Sequence, residues 1–356
     1  MKKHLFIIGG FLVGGVSAFS QDLHFSQYNE NPSLINPALT GVSYVMRASV
    51  IYRDQWRSVT VPYKTYGASF DMKFKASSWD KVDPFKTKSY KKAFNKLSGG
   101  LSFYSDKAGD GNMGTNQANL SFAAFIKGGE YSAFSLGLQG GIVQKTVDYS
   151  KFIFSNQYSG ASGSYDPNIS NGEKFGSQSF VYPDFAAGLL WNYAKDESAV
   201  GENNQMKADF GFGMFHINKP KQKFLVTTDE KLFSKYVIHG KLLMGIPHSS
   251  IGLAPSILVQ IQGNTKEIMG GMMVKYYLKD DSKYTGYIKR SSIGLGVYYR
   301  YKDAVIVNAL IEIGHYGIGI SYDINTSRLS KVSTLRGGPE IMLRFNSANP
   351  FLFQKR

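Results

Sequence analysis

The sequence predicts an all-β fold, a single-chain antiparallel transmembrane β-barrel of about 14 strands. Three observations lead there. Apolar and polar residues alternate with period two from residue 43 nearly to the C-terminus, which is the pattern of strands with two different faces. The composition is rich in glycine (38), tyrosine (23) and phenylalanine (25), and only 19% of residues are charged. After the first 20 residues no run of 18 uninterrupted apolar residues occurs. A membrane-bound mature chain therefore has to cross as a closed barrel, because only helices and closed barrels satisfy every backbone group in lipid.

Residues 1–20 read as a cleaved signal peptide: Lys2 and Lys3 open it, Leu5 to Val16 are apolar, and Ala18 and Ser20 supply the small residues of a cleavage site. Cleavage takes two lysines and no acid, lowering the net charge from +15 to +13. Residues 21–42 follow as an Asn-Pro-rich periplasmic or luminal segment. Asn31-Pro32 and Asn36-Pro37 stiffen it, and the expectation is a stretch that is neither strand nor helix and that crosses or lines the periplasmic mouth. The barrel spans 43–346, with strands near 43–53, 63–75, 97–105, 115–127, 131–147, 181–193, 206–216, 236–246, 250–262, 267–278, 291–301, 304–314, 316–324 and 338–346. Residues 347–356 form a tail.

The second segment shows the two faces clearly. Tyr66, Ala68, Phe70, Met72 and Phe74 share one side, and Thr65, Gly67, Ser69, Asp71 and Lys73 the other. Across the chain the second faces carry small polar residues and single charges such as Asn119, Asp209, Glu312 and Arg344. A soluble sandwich or propeller would carry more charge on its wet face. Small polar inner faces suit a crowded or water-filled lumen, and tyrosines at segment ends suit interfacial girdles. An even strand count leaves both barrel termini on the periplasmic side. The loops at 148–180 and 217–235 then lie outside and the lysine-rich loop at 76–96 inside, where a long loop is unusual.

Chemistry is sparsely signalled. Without cysteine there are no disulfides, thiolate metal sites or cysteine nucleophiles. The six histidines show no metal-ligand spacing, and no phosphate-binding glycine loop or nucleophile elbow is present. The sequence thus gives no cofactor, no metal and no enzymatic activity. Lys86, Lys88, Lys91 and Lys92, interleaved with Phe85, Tyr90 and Phe94, would suggest nucleic acid in a cytosolic chain. In a secreted chain they point instead to phosphate head groups, glycan or a protein.

Certain motifs carry a resemblance. Phe25-Ser26-Gln27-Tyr28, Asn31-Pro32 and Asn36-Pro37-Ala38-Leu39-Thr40-Gly41 are followed by Tyr52-Arg53, Gln55-Trp56-Arg57 and, near the end, Ser321-Tyr322-Asp323-Ile324-Asn325. Over residues 21–346 the chain resembles the PorP/SprF family of outer-membrane proteins of Bacteroidota. One local departure is Asn29, where many members have Met. The resemblance implies a non-enzymatic outer-membrane component of type IX secretion and gliding. Such a component binds a cognate adhesin or its C-terminal signal domain, helps export or anchor that adhesin, and couples to periplasmic ring components and peptidoglycan-linked lipoproteins. Outer-membrane lipid or lipopolysaccharide is a further expected partner, and nucleic acid is not. The candidate partner-binding residues are Phe25, Gln27, Tyr28, Asn31, Pro32, Asn36, Pro37, Arg53, Gln55, Trp56, Arg57, Lys86, Lys88, Lys91 and Lys92. Residues 53–57 are placed just after the first strand, at the extracellular rim or folded into the lumen. The alternative reading is a porin or substrate-specific transporter whose polar strand faces line an open pore.

Overall fold

The computed structural model describes residues 24–57, 61–74, 97–109, 111–158, 164–195, 203–224, 230–279, 291–327 and 330–346. The described strands are β1 (Met46–Gln55), β2 (Tyr63–Lys73), β3 (Leu97–Ala108), β4 (Met113–Lys127), β5 (Ser132–Thr146), β6 (Ser179–Lys195) and β7 (Met206–Phe215). They continue with β8 (Lys235–Gly245), β9 (Ile251–Gln262), β10 (Thr265–Lys279), β11 (Ser291–Arg300), β12 (Ala304–Ile313), β13 (Tyr316–Asn325) and β14 (Arg336–Asn346). Each pairs antiparallel with its chain neighbour, and β1 closes the barrel on β14 through a register running from Arg47↔Asn346 to Arg53↔Glu340. All 14 expected strands are present, with ends shifted by at most three residues. No described helix is long and apolar enough to cross a membrane.

Closure removes every free strand edge, and the alternation then separates the two faces. Val50, Leu101, Phe122, Leu136, Leu189, Phe210, Leu295 and Ile320 point outward and are each more than half exposed. In water this apolar surface would be a liability, whereas in hydrocarbon it is the stable choice. The chain ends of the barrel, at the start of β1 and the finish of β14, share one end, the terminal end. The long loops after β5 and β7, described at 147–158, 164–178, 216–224 and 230–234, lie at the other, the loop end.

Two expectations need correction. The inner faces are not uniformly small and polar. Val237, Leu258, Met269, Ile306, Leu310 and Met342 all point inward and are buried. Strands apolar on both faces need a packed interior as well as lipid outside, and the segment before β1 supplies that interior. Nor is that segment free of helix. It folds as a 3₁₀ turn at 28–30, α1 (Pro32–Ile35) and another 3₁₀ turn at 37–39. Both prolines stand at the first helical position, where a missing N–H costs nothing and the fixed φ suits the turn.

Candidate functional site

The site is built around residues 24–42, which run as a strap inside the lumen from the loop end to the terminal end. Near the loop end Arg53, inward on β1, donates to His24 O (2.5 Å) and pairs with Asp323 of β13 (2.9 Å) and Glu340 of β14 (3.7 Å). Ser26 Oγ donates to Asp323 (2.6 Å) and accepts from Arg300 of β11 (2.8 Å). The Ser26 and Gln27 amides both donate to the Glu340 carboxylate, at 2.8 and 2.7 Å. These are charge-assisted bonds away from water, where an unpartnered carboxylate would be costly.

Further down, Glu30 carries a carboxylate into a basic region. It pairs with Arg47 (3.3 Å) and with Arg344, which also holds Glu312, and Glu312 in turn holds Lys275 (2.7 Å). Tyr28 donates to Ser256 of β9 (2.8 Å), and Ser33 bonds the hydroxyl of Tyr104 on β3 (2.5 Å). Asn36 is fully buried. Its Nδ2 donates to Leu189 O of β6 (2.8 Å) and lies 3.1 Å from His239 Nε2 of β8, while its Oδ1 accepts from the Ala38 amide (2.9 Å). The strap lies so close to the wall here that a Cβ on Gly137 of β5 would overlap the Ala38 nitrogen, and one on Gly188 would overlap Asn36 Oδ1.

At the terminal end the strap turns through Gly41, whose φ of +68° favours glycine. The Gly41 amide donates to Asp71 of β2 (2.9 Å), Lys73 donates to Val42 O (3.0 Å), Thr40 donates to Ser121 of β4 (3.0 Å), and Ser98 donates to Thr40 O (2.6 Å). Ile35 O faces Gly213 of β7. Apolar contacts complete the packing: Tyr28 and Ile35 cluster with Val237, Leu258, Met269 and Ile306, and Phe25 with Ile51, Met273, Leu310 and Met342. With Glu267 of β10 at 3.8 Å from His24, and Ile306 on β12, the strap meets all 14 strands. A cavity of about 50 Å³ remains beside it, bordered by Tyr28, Tyr44, Arg47, Asp209 and Lys241. That is room for water-sized occupants.

The loop end is folded as well. Val143, Phe180, Tyr182 and Leu232 form a small core with Phe224 beside it. Tyr149 stacks on Phe175 (4.2 Å) and donates to Phe224 O (2.6 Å), so loop 147–178 is tied to loop 216–234.

Of the candidate residues, Phe25, Gln27, Tyr28, Asn31, Pro32, Asn36 and Pro37 are buried in the strap, and Arg53 joins them from the wall. The first strand runs on to Gln55, two residues past the expected end at 53, so Asp54 and Gln55 belong to it together with Arg53. The inward ion pairs of Arg53 with β13 and β14 carry the register that far. Gln55 and Trp56 are half-buried at the rim, with Trp56 edge-on to Tyr63 (4.8 Å), and Arg57 is exposed and paired with Asp54 (2.5 Å). Lys86, Lys88, Lys91 and Lys92 lie outside the described residues. Sequence reasoning missed Asp323, Glu340, Arg300 and Glu30 as partners. Their available signal was the placement of single charges on otherwise small inward faces. Among the described residues no group of three or more His, Asp or Glu side chains is placed to hold a metal. The buried pair His216–Asp184 (2.8 Å) has Ser234 nearby, but that hydroxyl donates to the His216 carbonyl.

A closed antiparallel barrel with an apolar outer band and a strap-filled lumen defines an outer-membrane β-barrel protein. The chain matches the family described as type IX secretion system membrane protein PorP/SprF over residues 17–345, and it belongs to that family. Among solved structures it is similar to the toluene transporter TbuX of Ralstonia pickettii, with 8% identity and a TM-score of 0.44, covering 89% of this chain and 93% of that one. It is also similar to the KdgM porin in complex with oligogalacturonate (6%, TM-score 0.34, 84% and 99%). The β domain of the Bordetella autotransporter BrkA gives 10%, a TM-score of 0.34, and 86% and 100%. No curated protein matches the chain.

Proposed function

We propose that this barrel is an accessory of type IX secretion that binds a cognate secreted surface protein at its loop end and helps export or anchor it. The loop end faces the exterior, because long loops belong there and barrel termini in the periplasm. The observation that carries the reading is the strap: it fills the lumen and bonds the wall from end to end. A wall bearing buried Leu258, Met269, Ile306 and Met342 suits a permanent packed interior better than a water-filled channel. A barrel filled in this way acts by position. It holds the packed, described parts of the loops after β5 and β7 at the cell surface as a platform. The periplasmic end is the side for coupling to the secretion machinery, through the lysines of 75–96 and the strap's exit at Val42. The porin reading would need a continuous polar path beside the strap, and the 50 Å³ cavity is a poor candidate for one.

The test is capture from envelopes of cells carrying a tagged copy. Type IX adhesins with a C-terminal signal domain, together with ring components, are the expected companions. Recovery of neither would remove the reading.

A further inference from the structure

The outer surface at the loop end differs between the two sides of the barrel. On β1–β5 the apolar band stops at the row Val50↔Ala68, Phe103↔Ala118 and Ile142. The next outward row is Tyr66↔Ser105, Asn116↔Gln144, with Ser105 donating to Asn116 (2.8 Å). Above it Lys64 and Lys107 stand directly opposite one another in the β2–β3 register. On the far side, β10–β13 carry Ile268, Tyr299, Tyr301 and Ile324 outward and exposed, with a single lysine, Lys266, at the end of the β10 row and no second lysine directly opposite it in the β9–β10 register.

Like charges directly opposite on one face destabilise a sheet unless an anion lies between them. Asp54 borders Lys64 across β1–β2, but its Oδ2 is taken by Arg57 (2.5 Å) and Tyr52 (3.2 Å), and its Oδ1 is buried and bonds neither lysine. Hydrogen-bonding side chains on the outside of a barrel, directly above the hydrocarbon band, lie at the depth of lipid head groups. Cations combined with Ser, Asn and Gln there suit a phosphorylated sugar.

We propose that Lys64 and Lys107 bind a phosphate of an outer-leaflet glycolipid, whose sugar hydroxyls meet Ser105, Asn116 and Gln144. The phosphate bridges the two ammonium groups, and the acyl chains lie along Leu101, Phe103 and Leu120. This site needs only an outer-leaflet location and is independent of what the loops bind.

The mature full-length barrel in detergent micelles, titrated with diphosphorylated lipid A and read by native mass spectrometry, tests this. A lysine beside an anionic membrane surface favours binding about 5-fold, so K64Q/K107Q binds lipid A about 25-fold more weakly. K266Q, on the opposite outward face, binds as the unsubstituted chain does, and each variant keeps the heat-modifiable mobility of a folded barrel. Undiminished lipid A binding by K64Q/K107Q, or an equal loss in K266Q, overturns the proposal. So does displacement of lipid A by an equal concentration of inorganic phosphate, which would make this a free-anion site.

Discussion

Replacing Arg53 by alanine probes the strap most sharply. The guanidinium is almost fully buried, lies between Asp323 and Glu340, and holds the strap's His24 carbonyl. Removing it leaves two buried carboxylates with reduced compensation and one carbonyl without its donor. Breaking a buried ion pair from one side costs about 3–5 kcal/mol, a large part of an ordinary folding free energy. The neighbouring Arg57 also pairs with a buried acid, Asp54, but its own side chain is 74% exposed and Tyr52 also donates to that carboxylate. Such a half-exposed pair costs more to break than a fully exposed one, worth about 0–1 kcal/mol, and less than a fully buried one. R53A is thus expected to lower unfolding free energy by about 3–5 kcal/mol and R57A by about 1–2 kcal/mol. Denaturant titration of the detergent-solubilised barrel, with heat-modifiable mobility as readout, measures both. If the two variants unfold at the same midpoint, Arg53 does not anchor the strap and the luminal network is misassigned.

Other consequences are independent of that pair. A G137V substitution drives a side chain into the Ala38 backbone. It should displace the strap and cut the yield of folded barrel several-fold, while V50A on the lipid face leaves the yield near normal. Truncating Phe180, which packs with Val143, Tyr182 and Leu232, should cost about 3–5 kcal/mol locally. Proteolysis of loops 147–178 and 216–234 in intact cells should then accelerate, with no change in the barrel's heat-modifiable shift. Glutamine at Lys86, Lys88, Lys91 and Lys92 should reduce recovery of periplasmic ring components and leave adhesin recovery intact. The reverse pattern would place that loop's role at the surface.

The barrel was legible because its signal is local and repeated. Each strand's alternation, such as Tyr66, Phe70 and Met72 against Thr65, Ser69 and Asp71, is set by the pleat within a few residues. The strap was only half legible. Its Asn-Pro pairs marked a distinct segment, yet what they do depends on partners far along the chain. Ser26 meets Glu340 across 314 positions, and no periodicity connects them. The helical turns escape that reading because an Asn-Pro pair favours extended backbone at the asparagine, while the proline itself suits a first helical position. The filled lumen does have a local signal. In Val305-Ile306-Val307 and Ile341-Met342-Leu343 apolar residues occupy both strand faces, which lipid alone does not require. The single inward charges of Glu312 and Arg344 could be placed on the correct face, but their pairing needed the barrel to close.

Whether the strap holds the lumen shut is measured directly by the conductance of the purified full-length barrel in planar bilayers, with insertion verified by protease protection. The structure predicts a silent membrane, without stable ohmic steps. Stable, large unitary steps from the unsubstituted chain would contradict a permanent plug and return the barrel to the class of pores.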